Sequence, residues 1–437
     1  MAENDLQGRL NRRDFLRALG AAGATTVLTS VTAQAAPRIG YLGSQAPLTG
    51  DAPPGMKAVF LYTIGPGGNM NWQPGDAIKF LPPEKIPAGK AAETVAALPK
   101  QKLLDIYRTM YTTRKWENAL KDNWLKGELY GSWLMYAGQE AIASGVMAAL
   151  NLNDYCTSTH RPAGHIVAKG TDLKKVTAEL YLRKTGISKG KGHRANITDP
   201  SVGFLGSNGI VGSAWLLAAG AAYSAMVRGS KQVAVAFGGD NAANQSYYFS
   251  AVRNATLFKL PVIFVIENNF QNVFTPMAVT VPTKQISDYT KGLDIPSLTV
   301  DGNDVTAVYA AAKEAVDRAR SSEGPTVIEG MTYRWYDHAM FGGIKVGEEG
   351  AFKLPYRTDS EVREWMARDP LVRYKVFLLE RKLVSDSDLA SLEQDALKTI
   401  AAAFDFARSS PVPDPQSGLD DVYVGGPPVT ATQFFTA

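Results

Sequence analysis

The sequence predicts an α/β fold, an open and mostly parallel sheet with helices on both faces, followed by a helical C-terminal region. Three short β-branched apolar runs, at 233–237 (Val-Ala-Val-Ala-Phe), 262–266 (Val-Ile-Phe-Val-Ile) and 326–330 (Thr-Val-Ile-Glu-Gly), alternate with stretches of helical period. Strands that alternate with helices lie parallel, because each return to the sheet needs a crossover helix. Residues 359–409 are charged and helical in period, with an interruption near Pro370. Glycine and polar side chains stand directly after the runs, where an open α/β sheet has its ligand crevice.

With 437 residues, 45% of them hydrophobic and 20% charged, the chain has the composition of a soluble globular protein with room for a large core. The net charge of +4 comes without a long basic run or an interleaved aromatic stripe, so nucleic acid is not an expected partner. A single cysteine, Cys156, excludes an internal disulfide framework and fits folding in a reducing compartment.

Taken in order, the first element is a targeting segment. Arg12-Arg13-Asp14-Phe15-Leu16 precedes a mildly apolar Ala/Gly/Leu/Thr run to Val31 and the small-x-small site Ala33-Gln34-Ala35. This order reads as a bacterial twin-arginine signal over residues 1–35, with a mature start near Ala36, a periplasmic or exported destination and no stable membrane span after its removal. Residues 36–99 are rich in Pro and Gly and are expected to form an extended arm. Helices are expected over 102–125 and 141–150, opening a folded domain over 100–425 that a tail at 426–437 follows. Residues 210–227 hold no charge, but they are mostly Ala, Gly and Ser and too weakly apolar to span a membrane, so a tightly packed or interface helix is expected.

The strongest chemical signal is Gly239-Asp240-Asn241-Ala242-Ala243-Asn244-Gln245 after one strand and Glu267-Asn268-Asn269 after the next, Asn269 lying 29 positions beyond Asp240. Between them Tyr248, Ala251, Val252, Ala255 and Phe258 give a helix its apolar stripe, so the unit is a strand–helix–strand crossover whose two strand ends sit side by side. Mg²⁺ takes hard oxygen ligands and only one or two carboxylates. The Asp240 carboxylate, the Asn269 amide oxygen and a backbone carbonyl suit it, and a diphosphate lying against the helix opened by 242–245 would complete its shell. Gly-Asp followed about thirty residues later by Asn-Asn is the thiamine-diphosphate fingerprint.

From about residue 100 to 425 the chain resembles the α subunits of the thiamine-diphosphate-dependent first components of 2-oxo acid dehydrogenases, nearest the pyruvate and acetoin types. The matching stretches include Tyr136-Ala137-Gly138-Gln139-Glu140-Ala141, Ser158-Thr159-His160-Arg161, Lys189-Gly190-Lys191-Gly192, Asn208-Gly209-Ile210-Val211-Gly212 and Thr332-Tyr333-Arg334. The resemblance implies that Asp240, Asn269 and the backbone oxygen of Gln271 bind Mg²⁺. It implies that Arg161, Asn241 and Ala242 hold the diphosphate, and that the Gly209 and Val211 backbones meet the aminopyrimidine. His338 would stand on an active-site loop, with His160 as a second catalytic candidate. All four histidines, His160, His165, His193 and His338, fall in the matching segments, and imidazole ordinarily titrates near working pH.

The resemblance further implies a separate β subunit that brings the pyrimidine half of the site and the glutamate that protonates the ring, in a heterotetramer, with an acyltransferase component as a further candidate partner. The reaction implied is oxidative decarboxylation of a 2-oxo acid such as pyruvate, or cleavage of acetoin. Where the family carries two histidines, a glycine and a serine, this chain has Leu134, Ala163, Asn241 and Ala339, and its Gly-Gly-Ser-Met-His loop reads Gly192-His193-Arg194-Ala195-Asn196. Those departures motivate a second reading, an exported paralogue of weakened activity that serves as a binding or scaffolding subunit.

Overall fold

A computed structural model of the chain describes residues 89–131, 133–273, 275–339 and 357–421. The expected signal over 1–35, most of the expected arm and the tail at 426–437 lie outside the described residues. The described part opens with α1 (Lys90–Ala96), α2 (Lys100–Leu125) and α3 (Glu140–Ala149), then β1 (Tyr155–Ser158), α4 (Ala163–Lys169), α5 (Leu173–Leu180) and β2 (Phe204–Ser207). There follow α6 (Ser213–Val227), β3 (Ala234–Gly239), α7 (Ser246–Leu257), β4 (Val262–Asn268) and a small hairpin, β5 (Gln271–Asn272) and β6 (Thr275–Pro276). After the single turn α8 (Met277–Thr280) come β7 (Ser297–Asp301), α9 (Val305–Arg320) and β8 (Thr326–Met331), and α10 (Asp359–Met366), α11 (Pro370–Glu380) and α12 (Asp386–Ser409) close the fold.

Six strands form one parallel sheet in the order β2-β1-β3-β4-β8-β7. The three apolar runs read from the sequence are β3, β4 and β8, and every residue of β4 is buried, as parallel strands covered on both faces require. Their alternate residues feed two cores. Val235, Phe237, Ile263, Val265 and Ile328 pack with α3, α5, α9 and α12 on one face. Ala234, Ala236, Val262, Phe264 and Val327 pack with α6, α7 and α10 on the other. Each fully buried Val, Ile or Phe contributes roughly 1.5–3 kcal/mol.

The chain leaves β1 toward β2 on one side and returns to β3 on the other, which puts the topological switch, and with it the crevice, between the carboxyl ends of β1 and β3. A third core joins α1 and α2 to α11 and α12. The Tyr107 hydroxyl donates to Glu393 at 2.6 Å across it, and Arg114 ties α2 to α3 and the start of α11 through Glu140 at 2.5 Å and Asp369 at 3.0 Å.

Three details differ from the sequence expectation. The arm is described only from residue 89, and there it is helical, with Ala92 and Val95 of α1 buried, because those two small apolar residues find a pocket on the third core. Residues 240–244 form a 3₁₀ turn, and the α-helix begins at Ser246 because Gln245 is extended (ψ 144°). Phe258 lies outside the buried stripe of α7, just past its last turn, and is 49% exposed.

Candidate active site

At the carboxyl edge of the sheet lies a cleft with an empty volume of about 700 Å³, bounded by the segments that follow β1, β2, β3, β4 and β8. Asp240 enters it from the turn after β3, Asn269 and Gln271 from the end of β4, His160 and Arg161 from the segment after β1, and His338 from the segment after β8. Asn241, Ala242 and Val211 line it as well; Gly209 does not, although Asn208 and Ile210 on either side do. Residues as far apart in sequence as His160 and His338 therefore share one crevice, because parallel strands end on one edge.

The turn after β3 is held by packing. Trp215 of α6 lies under it and donates from Nε1 to the Ala242 carbonyl at 3.0 Å, and a Cβ on Gly238 would stand 2.0 Å from the Trp215 ring. Asp240 is 3% exposed, and burial pushes its carboxyl up to about 6 against the opposing pull of Arg334 and of hydrogen bonds from Asn241. Asn269 donates from Nδ2 to Gln139 Oε1 at 2.9 Å, which fixes the amide and leaves Oδ1 met only by the Gln271 N–H at 3.4 Å. The Gln271 carbonyl, the third expected cation ligand, accepts from Arg334 Nη2 at 3.2 Å, so one of its two lone pairs is engaged. The Gln271 side-chain amide is buried with neither its oxygen nor its nitrogen hydrogen-bonded.

Two arginines face into the cleft without a carboxylate bonded to either. Arg161 spends its donors on backbone carbonyls, Nη1 on Met135 at 2.7 Å and Nη2 on His338 at 2.9 Å. Arg334 is 2% exposed, and its Nη1 has no partner. Burial first, then Arg334 and Arg194, hold the Arg161 guanidinium well below the usual arginine range. Buried cations that repel one another across an open cleft describe a site for a multiply charged anion. Arg194 adds to this field from behind, reaching the Leu134 carbonyl at the position where the family has a histidine.

The loop that brings Arg194 is shaped by the fully buried Glu179 of α5. Its carboxylate accepts the N–H groups of Ser188 at 2.9 Å, Gly190 at 2.8 Å, Gly192 at 2.7 Å and His193 at 3.0 Å.

His160 and His338 face each other with ring centroids 5.6 Å apart. Burial first, then Arg161, Arg194 and Arg334, push His160 down to about 3; burial, Arg334 and Arg161 push His338 far below the usual imidazole range. This corrects the expectation of imidazoles titrating near working pH: in the cleft as it stands both rings are neutral. His165 lies beneath, 0% exposed, with Nδ1 2.7 Å from Ser158 Oγ and Nε2 3.1 Å from Glu267 Oε1, while its ring stacks on Phe237. Tyr136 also donates to Glu267. His193 does not line the cleft.

Three residues of the site were not singled out from the sequence: Arg334, Gln139 and Glu267. Each sits inside a stretch that carried the family resemblance or next to the Asn-Asn pair, and that position was the available signal. Asn268, by contrast, turns away from the cleft and bonds Glu329 at 2.6 Å.

The residues present fit a diphosphate with a divalent cation: two buried guanidiniums without a carboxylate, one with a free Nη1, for the anion, and one buried carboxylate with an oriented amide oxygen for the metal. Among the described residues no three His, Cys, Asp or Glu side chains gather as a ligand set, so a cation here would take its remaining ligands from carbonyls, the diphosphate and water.

Comparison with known proteins agrees with this geometry. The α subunit of acetoin:2,6-dichlorophenolindophenol oxidoreductase of Bacillus subtilis is 39% identical over 328 residues, covering 75% of this chain and 95% of the relative. Its counterpart in Cupriavidus necator is 36% identical, covering 77% of this chain and 98% of the relative. The pyruvate dehydrogenase E1 component α subunit of Rhizobium meliloti is 34% identical, covering 76% and 93%. Residues 107–416, from the middle of α2 to beyond α12, match the family described as dehydrogenase E1 component. An anion cleft at the switch point, an Asp and an Asn on adjacent strand ends and a family match over most of the chain lead to one conclusion: this chain belongs to the dehydrogenase E1 component family and is an α-type subunit of a thiamine-diphosphate-dependent 2-oxo acid dehydrogenase.

Proposed function

We propose that the chain binds thiamine diphosphate with Mg²⁺ and, together with a β subunit in an α₂β₂ assembly, oxidatively decarboxylates a small 2-oxo acid such as pyruvate or cleaves acetoin. The observation that supports this best is the pairing of two buried arginines that no carboxylate bonds, Arg161 and Arg334, the latter with Nη1 free, with the buried Asp240 in one cleft. When bound, the cofactor supplies the electron sink that lets the substrate lose CO₂. Arg161 and Arg334 neutralise the diphosphate, and Asp240 and Asn269 Oδ1 present the cation with its protein oxygens. His160 and His338, kept neutral, can donate or accept a hydrogen bond at the substrate without adding a further positive charge.

A partner is needed because the cleft is open toward Ile210 and Val211, which are 67% and 47% exposed. Beside them α6 displays Leu216, Leu217, Tyr223 and Val227 to solvent, an apolar face of the kind that a second subunit covers. An acyltransferase would be the consumer of the product, and the N-terminal segment supports export of the folded chain to the periplasm.

Calorimetry on the chain assembled with its β partner tests the reading. Thiamine diphosphate should bind only with Mg²⁺ present, Asp240→Ala should weaken it at least about 100-fold while the fold persists, and the isolated chain should turn over no 2-oxo acid. Metal-independent binding, or an unaffected Asp240→Ala variant, would overturn it.

A further inference from the structure

Asp240 is not left to orient itself. Asn241 Nδ2 donates to Asp240 Oδ2 at 3.1 Å, and Asn241 Oδ1 accepts from Asn244 Nδ2 at 3.4 Å. Asn244 also donates to the Thr280 carbonyl at 3.2 Å and accepts the Tyr289 hydroxyl on Oδ1 at 2.7 Å. The Tyr289 ring in turn lies against Phe249 of α7, with centroids 5.5 Å apart.

The directions along this chain are fixed by chemistry. The Thr280 carbonyl can only accept, so the Asn244 nitrogen faces it and the Asn244 oxygen faces Tyr289. An ionised Asp240 can only accept, so the Asn241 nitrogen faces it. Every donor from Tyr289 through Asn244 and Asn241 therefore points toward the carboxylate, an arrangement in which each bond polarises the next.

We propose that Asn241 is a positioning residue for the cation: the Tyr289–Asn244–Asn241 relay pins Asp240 Oδ2 and leaves Oδ1 as the single carboxylate oxygen offered to the metal, which favours Mg²⁺ over Ca²⁺. The reasoning rests on the two ions' coordination. Mg²⁺ takes one oxygen from a carboxylate in a strict octahedron, whereas Ca²⁺ accepts bidentate carboxylates in a looser shell of six to eight. The Asn241 amide engages one lone pair of Oδ2 and holds the plane of the carboxylate, so turning both oxygens onto one ion, as bidentate binding requires, would strain or break that bond. The inference deepens the cofactor reading above and rests on it.

The test is a titration of Mg²⁺ and of Ca²⁺, each with thiamine diphosphate, into the chain assembled with its β partner, for wild type, Asn241→Gly and Tyr289→Phe. Asn241→Gly deletes the pinning amide and should raise the Mg²⁺ dissociation constant about tenfold, the scale on which groups that orient metal ligands act, while Ca²⁺ is affected less and the Mg²⁺ preference falls. Tyr289→Phe, which leaves the cleft lining intact, should move both readings in the same direction and by less. A simple loss of structure would weaken both ions in step. Unchanged or tighter Mg²⁺ binding in Asn241→Gly, weakening of both ions in equal measure, or a Tyr289→Phe variant indistinguishable from wild type would each overturn the inference. No divalent-ion binding by the wild-type assembly would instead defeat the cofactor reading itself, and the inference with it.

Discussion

His160 and His338 stand between mutually repelling arginines, and the sign of that field can be read as a pH dependence. Folded His160 stays neutral down to about 3, whereas the unfolded chain protonates it below about 6.5. The unfolded state therefore gains protons first, and stability that is present above pH 6.5 is lost as the pH falls, by up to about 1.4 kcal/mol per pH unit. His160→Gln should flatten that acid limb, as urea midpoints between pH 7.5 and 4.5 would show; an unchanged slope would mean that the ring is already charged in the folded state. Glu117, which burial pushes up to about 8, acts in the opposite direction, since the folded chain keeps its proton while the unfolded one releases it above about 4.5. Comparing variant with wild type cancels that contribution. At this scale Asp240 and Asn269 were legible in the sequence because each follows an apolar run directly, and a strand end is a position. Arg334 and Gln139 were not, because their roles depend on where a coil segment passes over the sheet edge. The depressed imidazoles were equally invisible, since they arise from burial first and then from arginines that, apart from Arg161 beside His160 and Arg334 near His338, come from distant segments.

Helix α6 carries no charged residue, and its Ala-rich sequence is explained by where it lies. Ala218 and Ala222 are fully buried against the sheet, and Trp215 is the one large side chain driven under the turn that presents Asp240 and Ala242. Gly238 has no room for a methyl group there. Gly238→Ala should cost about 1–3 kcal/mol, seen as a lower Tm, and should also weaken cofactor binding because the ring must move from beneath Ala242; a variant with wild-type Tm would show that the ring has another place to go. The helix itself was foreseen from composition, and the strand–helix–strand unit from periodicity. The 3₁₀ turn at Asp240–Asn244 was not, because the same polar residues begin either kind of helix and Gln245 alone decides between them. Helix α1 was hidden in a Pro/Gly-rich stretch for a related reason: seven residues give too few repeats for a period to register.

At the scale of the whole molecule, the parallel sheet covered on both faces follows from the three apolar runs, while β1, β2 and β7 are too short or too polar to announce themselves, and the strand order with them. The export expectation belongs here, since a twin-arginine pathway moves finished folds, and a chain whose only cysteine is buried needs no oxidising compartment to finish. Replacing Arg12 and Arg13 by Lys should hold the precursor in the cytoplasm, and the exported wild type should begin near Ala36; fractionation with N-terminal sequencing decides it, and a periplasmic double-Lys variant would rule the route out. The Glu179 carboxylate has a consequence that reaches beyond one loop. It recognises Ser188, Gly190, Gly192 and His193 only by their amide hydrogens, so the path of the loop is written in a helix and not in the loop's own side chains. Such a segment tolerates new side chains where the backbone leaves room for them, as at Ser188 and His193, but not a proline at a bonded amide, nor a Cβ at Gly192, which would stand 2.2 Å from the Asn196 carbonyl.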